Sequence, residues 1–264
     1  MGGLSWSGPG DPTTVTPTSI LKDLLRPKWL TATLVVIALA LVFVRLGIWQ
    51  LDRLEGRIEA NAVGESRLSA PVVDLADLLA ETGEDLETST YRRVAAVGVF
   101  DPGSEVLIRS QVHLGTAGFH VITPLVLEDG TAVLINRGWV PLTLDTVPVS
   151  QAPPPGGETT VEGWVELSRE RPPLGPTDPE TGRLVSMSRV DIERIQDQVG
   201  YSLAPVYLVM TGEGGVLPEP VSPPIFDDEG PHLGYAIQWF GFALVGMVGY
   251  VFLVRSRSKR VQSR

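Results

Sequence analysis

His232 stands immediately before Leu233–Val254, a run of 22 residues without a charge. His232, Tyr235, Trp239, Phe242, Gly246 and Gly249 follow one another at spacings of 3, 4, 3, 4 and 3. On a helix such positions fall within one stripe about 100° wide. One face therefore holds an imidazole at its end, three aromatic rings below it, and then two glycines. A neutral imidazole ligates haem iron, and aromatic rings pack against a flat macrocycle. One histidine fills one axial position only. The bland alternative is an interfacial histidine bonded to lipid phosphate or a loop, above a stripe that packs on another membrane helix. The residues alone leave both readings open.

Other chemistry is sparse. The chain has no cysteine, which removes disulfides, thiolate metal sites and cysteine nucleophiles. It shows no Gly-x-Ser-x-Gly elbow, P-loop, dinucleotide fingerprint or His-Glu-x-x-His helix. His113 and His120 lie seven apart and match no metal-ligand pattern, so ordinary strand or loop histidines are expected there. Arg137-Gly138-Trp139-Val140-Pro141 closes a strand, with Trp139 expected in the core and a docking surface formed with Arg137 as the alternative. Arg45 is the single charge in the first apolar stretch; it either snorkels to the headgroups or faces an anionic group or acidic partner.

Two membrane spans must position these residues. Trp29–Leu51 is the first and His232–Val254 the second. A helix of 22 residues spans roughly 33 Å, enough to cross a hydrocarbon core. Lys22, Arg26 and Lys28 precede the first span, and Arg255, Arg257, Lys259, Arg260 and Arg264 follow the second. The positive-inside rule predicts cytoplasmic termini, with 1–28 as a disordered segment ending in a basic flank and 255–264 as a basic tail. Residues 52–231 then lie outside, in the setting of a bacterial plasma membrane. That middle part carries 12 Arg against 29 Asp and Glu, net −17. Such an acidic surface argues against nucleic acid and suits a soluble domain.

Within 52–231 the hydrophobic period changes. A polar helix over 52–68 continues the first span, and a short helix covers 73–82. Residues 92–100, 105–112, 118–127, 132–140, 158–167 and 204–211 are short, β-branched and bounded by turn residues, which predicts strands of a barrel or strongly curled sheet. Glu128-Asp129-Gly130 signals a hairpin, 147–157 and 171–183 read as Pro/Gly loops, and 190–199 as a short helix. The expected fold is a membrane protein with two transmembrane helices flanking an extracytoplasmic, predominantly antiparallel β domain of α+β type.

Five linked segments resemble the Surfeit locus family of cytochrome oxidase assembly factors. Leu46-Gly47-Ile48-Trp49-Gln50-Leu51-Asp52-Arg53 is similar to its Gly-x-Trp-Gln-x-x-Arg motif, and Tyr91-Arg92-Arg93-Val94 to its Tyr-Arg-x-Val strand. Gly118–Leu125 and Asn136–Pro141 resemble its central strands, and His232–Phe240 the start of its second span. Order and two-span layout agree across 45–254. One departure is Pro231, where the family usually has Asn; a side-chain partner for the histidine is thereby absent. The resemblance implies a protein that is not an enzyme and that helps haem a reach the catalytic subunit of a haem–copper oxidase. Carried over by position, His232 is the haem ligand, with Tyr235 and Trp239 beside it. Trp49, Gln50 and Arg53 would share its membrane surface. An alternative role is a resident accessory subunit of the oxidase, or of its supercomplex with the cytochrome bc complex.

Overall fold

The computed structural model describes residues 27–168, 178 and 181–262. Residues 1–26 of the expected disordered N-terminal segment and most of the second Pro/Gly loop lie outside these residues. The chain divides into two units, one holding residues up to Ala60 together with those from Asp228 onward, the other Asn61–Asp227.

The first unit is an antiparallel helix pair. Helix α1 spans Pro27–Ser69, so the polar stretch predicted after the first span does continue it, and α4 spans His232–Gln262. Both are long and apolar enough to cross a membrane. Their outward residues are greasy, as lipid-facing positions must be: Leu41 is 64% exposed, Val245 70% and Phe252 74%. The pair packs along a ridge of small and aromatic residues. On α4 the buried positions are Ala236, Ala243 and Val254, with Phe240 half-buried between them. Gly47 on α1 meets Phe240: a Cβ at Gly47 would stand 2.6 Å from its ring. At the other end Thr33 and Tyr250 share a hydroxyl hydrogen bond of 2.5 Å, and Arg257 lies over the Trp29 ring at 5.6 Å.

The second unit is a closed mixed barrel with additions. Its strands are β1 (Val73–Asp74), β2 (Arg93–Phe100), β3 (Val106–His113), β4 (Thr116–Leu127), β5 (Ala132–Pro141), β6 (Glu158–Leu167), β7 (Ser186–Met187) and β8 (Leu203–Met210). The ring runs β2-β6-β8-β5-β4 and closes where Gly98–Phe100 of β2 pair with Leu125–Leu127 of β4. Strand β4 achieves this by length: its first part pairs with β3, its last residues with β2. Most pairings are antiparallel, as expected. The exceptions are β5 with β8, β1 with β2 and β3 with β7.

Two helices attach to the barrel. Helix α2 (Leu75–Thr82) is capped by Asp74, whose carboxylate accepts from the Ala76 amide at 2.8 Å, and α3 (Ile192–Gln196) is capped by Asp191 in the same way at 3.1 Å. The hairpin at Asp129-Gly130 forms as its residues predict, with Asp129 accepting from the Thr131 amide and Gly130 at φ 81°. The barrel interior is filled from all five ring strands, by Ala96 and Phe100, Leu125, Ile135, Val165 and Leu208, joined by Leu75 and Leu78 of α2. A second cluster lies on the opposite face of the same strands, where Leu134, Trp164 and Val209 alternate with the interior residues and pack against Met187, Val190 and Ile195.

Candidate functional site at the helix pair

In the first unit, the end of α1 and the start of α4 bring Gln50 and His232 together across 182 residues of sequence. His232 Nδ1 and Gln50 Oε1 stand 2.9 Å apart. Three residues define the shared face of α1: Phe43, Gly47 and Gln50, at spacings of four and three. Phe43 stacks on Trp239 with ring centroids 5.6 Å apart and meets Phe242 at 5.9 Å; Trp239 and Phe242 meet edge-on at 5.8 Å. An imidazole thus sits at the end of a helix pair whose adjoining layer is aromatic.

The other edge of the imidazole faces a glycine. Gly230 has φ 71°, and a Cβ placed there would lie 3.4 Å from His232 Nε2 and 3.3 Å from Cδ2. A side chain there would crowd that edge of the ring. The stripe read from the sequence is present but turned from the packing ridge. Tyr235 is 48% exposed and Phe242 45%, while the neighbouring Ala236 is 1% exposed. The aromatic stripe therefore borders the helix contact and remains open on its outer side. Trp49 (45% exposed) and Arg53 form a local pair, with the guanidinium 5.9 Å from the indole centroid. Arg57 Nε donates to the Asp228 carbonyl at 3.2 Å. Arg45 is exposed on α1. Sequence reasoning missed Phe43, Phe240 and Gly230. The 43/47/50 spacing was the available signal for the first; the other two needed the packed pair.

In the second unit, Arg137 and Trp139 are buried residues rather than a docking surface. Arg137 is 2% exposed and Trp139 8%. Alternation with Val133 and Ile135 already turns Arg137 to the interior, and a bulge follows, where Val121 pairs with Gly138 and Ile122 with Asn136, so that Trp139 pairs with His120. The Arg137 guanidinium lies 3.3 Å from Glu105, which is 1% exposed, and donates to the Ala152 carbonyl. Glu105 also accepts from Thr123 Oγ1 at 2.8 Å and from the Val149 amide at 2.7 Å. The pair therefore fastens the Pro-rich loop onto the barrel. Burial pulls the Arg137 pKa down; the Glu105 carboxylate opposes that.

A cavity of about 270 Å³ opens on the outer face of the sheet, lined by Gln111, His120, Asn136, Trp164, Arg189 and Tyr207 among others. Asn136 Oδ1 accepts from the Gly138 amide at 3.1 Å, which fixes its amide with Nδ2 toward His120 Nδ1 at 3.2 Å. His120 then carries its proton on Nε2. Burial, with His113 as a smaller electrostatic contribution, pushes the His120 pKa down to about 4. Among the described residues no group of three or more His and acidic side chains is placed to hold a metal ion. The His120 shift has a measurable sign. Its folded value lies below the ordinary 6.5, so between those limits the unfolded chain binds the extra proton. The stabilisation is full above pH 6.5 and is lost as pH falls toward about 4. Thermal melts from pH 7 to 4 are expected to drop more steeply for the wild type than for His120→Asn. Parallel curves would contradict the neutral assignment.

These features define a class: two apolar helices, long enough to cross a membrane, flank a mixed β barrel, and no nucleophile or metal cluster stands out among the described residues. Residues 37–244 match the SURF1 family, and the chain belongs to it. Over 251 residues it is 31% identical to an uncharacterized SURF1-like protein of Mycobacterium tuberculosis, covering 91% of this chain and 89% of the relative. A SURF1-like protein of Caenorhabditis elegans is 29% identical over 251 residues, with 86% of this chain and 75% of the relative covered. One from Caenorhabditis briggsae is 30% identical, covering 86% and 77%. The family is that of the cytochrome oxidase assembly factors.

Proposed function

We propose that this chain serves the assembly of a haem-a-containing cytochrome oxidase by holding haem a at His232 until the catalytic subunit receives it. The observation that carries the reading is the His232 imidazole itself, hydrogen-bonded on Nδ1 by Gln50 and bordered on Nε2 by a glycine. Haem a supplies an iron that accepts an axial imidazole nitrogen. His232 offers Nε2 for that purpose. Trp239, Phe242 and Tyr235 offer ring faces and edges at membrane depth for a flat apolar partner. Trp49 and Arg53, near Gln50 on α1, provide a cation and an indole for polar groups at the membrane surface. The chain's part in this scheme is binding and release, not bond-making, so it is read as no enzyme.

In this scheme the protein is a two-pass protein of the bacterial plasma membrane. Basic flanks keep both termini cytoplasmic, and the barrel is extracytoplasmic. Its partners are the catalytic subunit of the haem–copper oxidase and the lipid bilayer. A second reading, a resident accessory subunit of the oxidase or of its supercomplex with the cytochrome bc complex, draws on α4. A Cβ at Gly246 or Gly249 would meet nothing within 4 Å. That small-residue patch suits close approach of another membrane helix.

Complementation tests the proposal. In cells lacking this gene, His232→Ala is expected to accumulate to nearly wild-type level, because the side chain is only half-buried and fills little core. Haem-a content and oxidase activity of the membranes are expected to fall toward the level of the deletion. Full activity with normal haem a would remove His232 from the function.

A further inference from the structure

We infer that Gln50 is the positioning residue of this site. It accepts a hydrogen bond from His232 Nδ1–H and so leaves the lone pair on Nε2, the nitrogen beside Gly230. The inference rests on the haem reading above and adds which nitrogen binds and what orients it.

Three observations within the helix pair converge on it. The first is the 2.9 Å separation between His232 Nδ1 and Gln50 Oε1, which joins the last turn of the apolar part of α1 to the first residue of α4. A neutral imidazole has one N–H and one lone pair. If Nδ1 donates to an amide oxygen, Nε2 is the acceptor, and a metal-bound imidazole is held in the same way by a hydrogen bond on its other nitrogen. The second is Gly230. A Cβ there would stand 3.4 Å from Nε2, so the edge that the tautomer makes basic is bordered by backbone that carries no side chain. The third is the register that holds Gln50 in place. Gly47, one turn earlier on the same face, lets the Phe240 ring seat against α1, and Phe43 stacks on Trp239 one turn further. Gln50 is therefore delivered by a packed interface rather than by a mobile loop.

A glutamine accepts through its oxygen or donates through its nitrogen; a glutamate at neutral pH can only accept. This difference separates the inferred tautomer from its opposite. In the inferred arrangement Gln50→Glu preserves the hydrogen bond and makes the imidazole more electron-rich, while Gln50→Leu deletes it. If Gln50 instead donated to Nδ1, glutamate would be no better than leucine.

The experiment titrates ferric haem a into full-length detergent-extracted apoprotein, followed by Soret absorbance, with the reduction potential of the bound haem measured in parallel. Wild type, Gln50→Leu, Gln50→Glu and His232→Ala are compared, with far-UV circular dichroism as a folding check. Gln50→Leu is expected to bind about 10–100-fold more weakly, as removal of a ligand's hydrogen-bond partner usually does. Gln50→Glu is expected to keep wild-type affinity and to shift the potential downward. A folded Gln50→Leu protein with wild-type affinity and potential would overturn the positioning role while leaving His232 as ligand. A Gln50→Glu protein as weak as Gln50→Leu would overturn the tautomer. If His232→Ala binds as the wild type does, the haem reading itself falls, and this inference with it.

Discussion

Arg137→Met is expected to lower the melting temperature of the β domain by roughly 6–12 °C. Arg137 and Glu105 are 2% and 1% exposed, so the pair is fully withdrawn from water. A buried pair adds little over a well-packed apolar core, but losing one partner strands the other charge. Glu105 keeps two donors, Thr123 and the Val149 amide, which places the cost near the lower end, about 3 kcal/mol. For a unit of this size each kcal/mol moves the midpoint by about 2–4 °C. The Ala152 carbonyl also loses its donor, so the loop from Val149 to Ala152 is expected to become protease-sensitive first. Adding Glu105→Leu to Arg137→Met should recover part of the lost stability: no charge is then left stranded, but the Val149 amide and Thr123 hydroxyl lose their acceptor. A calorimetric scan checks both variants. An unchanged midpoint in Arg137→Met, or a further drop in the double variant, would show that the pair does not act as described.

Gly47→Leu is expected to be the most damaging single change in the membrane unit. The first carbon of any side chain at Gly47 would lie 2.6 Å from Phe240 Cε1, well inside contact distance. The Phe240 ring can swing to accept a methyl group, so Gly47→Ala should be mild. Leucine adds three further carbons between the helices, an overpacking that costs about 1–3 kcal/mol. That much destabilisation changes membrane abundance several-fold. It also spreads the pair next to Gln50 and His232, so haem retained per mole of extracted protein should fall with it. Immunoblotting and absorbance of the extracted protein read the two effects separately. Wild-type abundance and haem content in Gly47→Leu would mean that the helices do not meet at Phe240.

Much of the frame was legible because it rests on local periodicity. The apolar runs, their basic flanks and the six main strands follow from residue type, and the Asp caps and the Asp129-Gly130 turn follow from side-chain chemistry. The resemblance pointed to the right family. What was not legible depends on pairings between distant residues. The parallel contact of β5 with β8 joins Leu134 to Tyr207, and no local pattern distinguishes it from an antiparallel one. The bulge at Arg137 is equally silent, since Asn136-Arg137-Gly138 reads as an ordinary strand end. Alternation with Val133 and Ile135 turns the Arg137 guanidinium inward onto Glu105, and the bulge then sets Trp139 opposite His120. On α4 the periodicity found a real stripe but could not say which of two adjacent stripes packs. Ala236, Phe240 and Ala243 are as apolar as Tyr235, Trp239 and Phe242, and only the partner helix decides between them. The same limit hid Gln50 as the neighbour of His232.

The central claim is that His232 ligates haem a at the head of this helix pair. Its most direct test is the absorbance of the full-length protein, extracted from membranes that make haem a and purified in detergent, as haem per mole of wild type, His232→Ala and Trp239→Ala. The wild type should carry haem a with the spectrum of an imidazole-ligated iron. His232→Ala should be equally abundant but largely haem-free, and Trp239→Ala should lose haem together with part of its abundance, because its ring stacks on Phe43. A His232→Ala protein that retains haem a with an unchanged spectrum would contradict the claim and leave the aromatic stripe as a surface for another membrane helix.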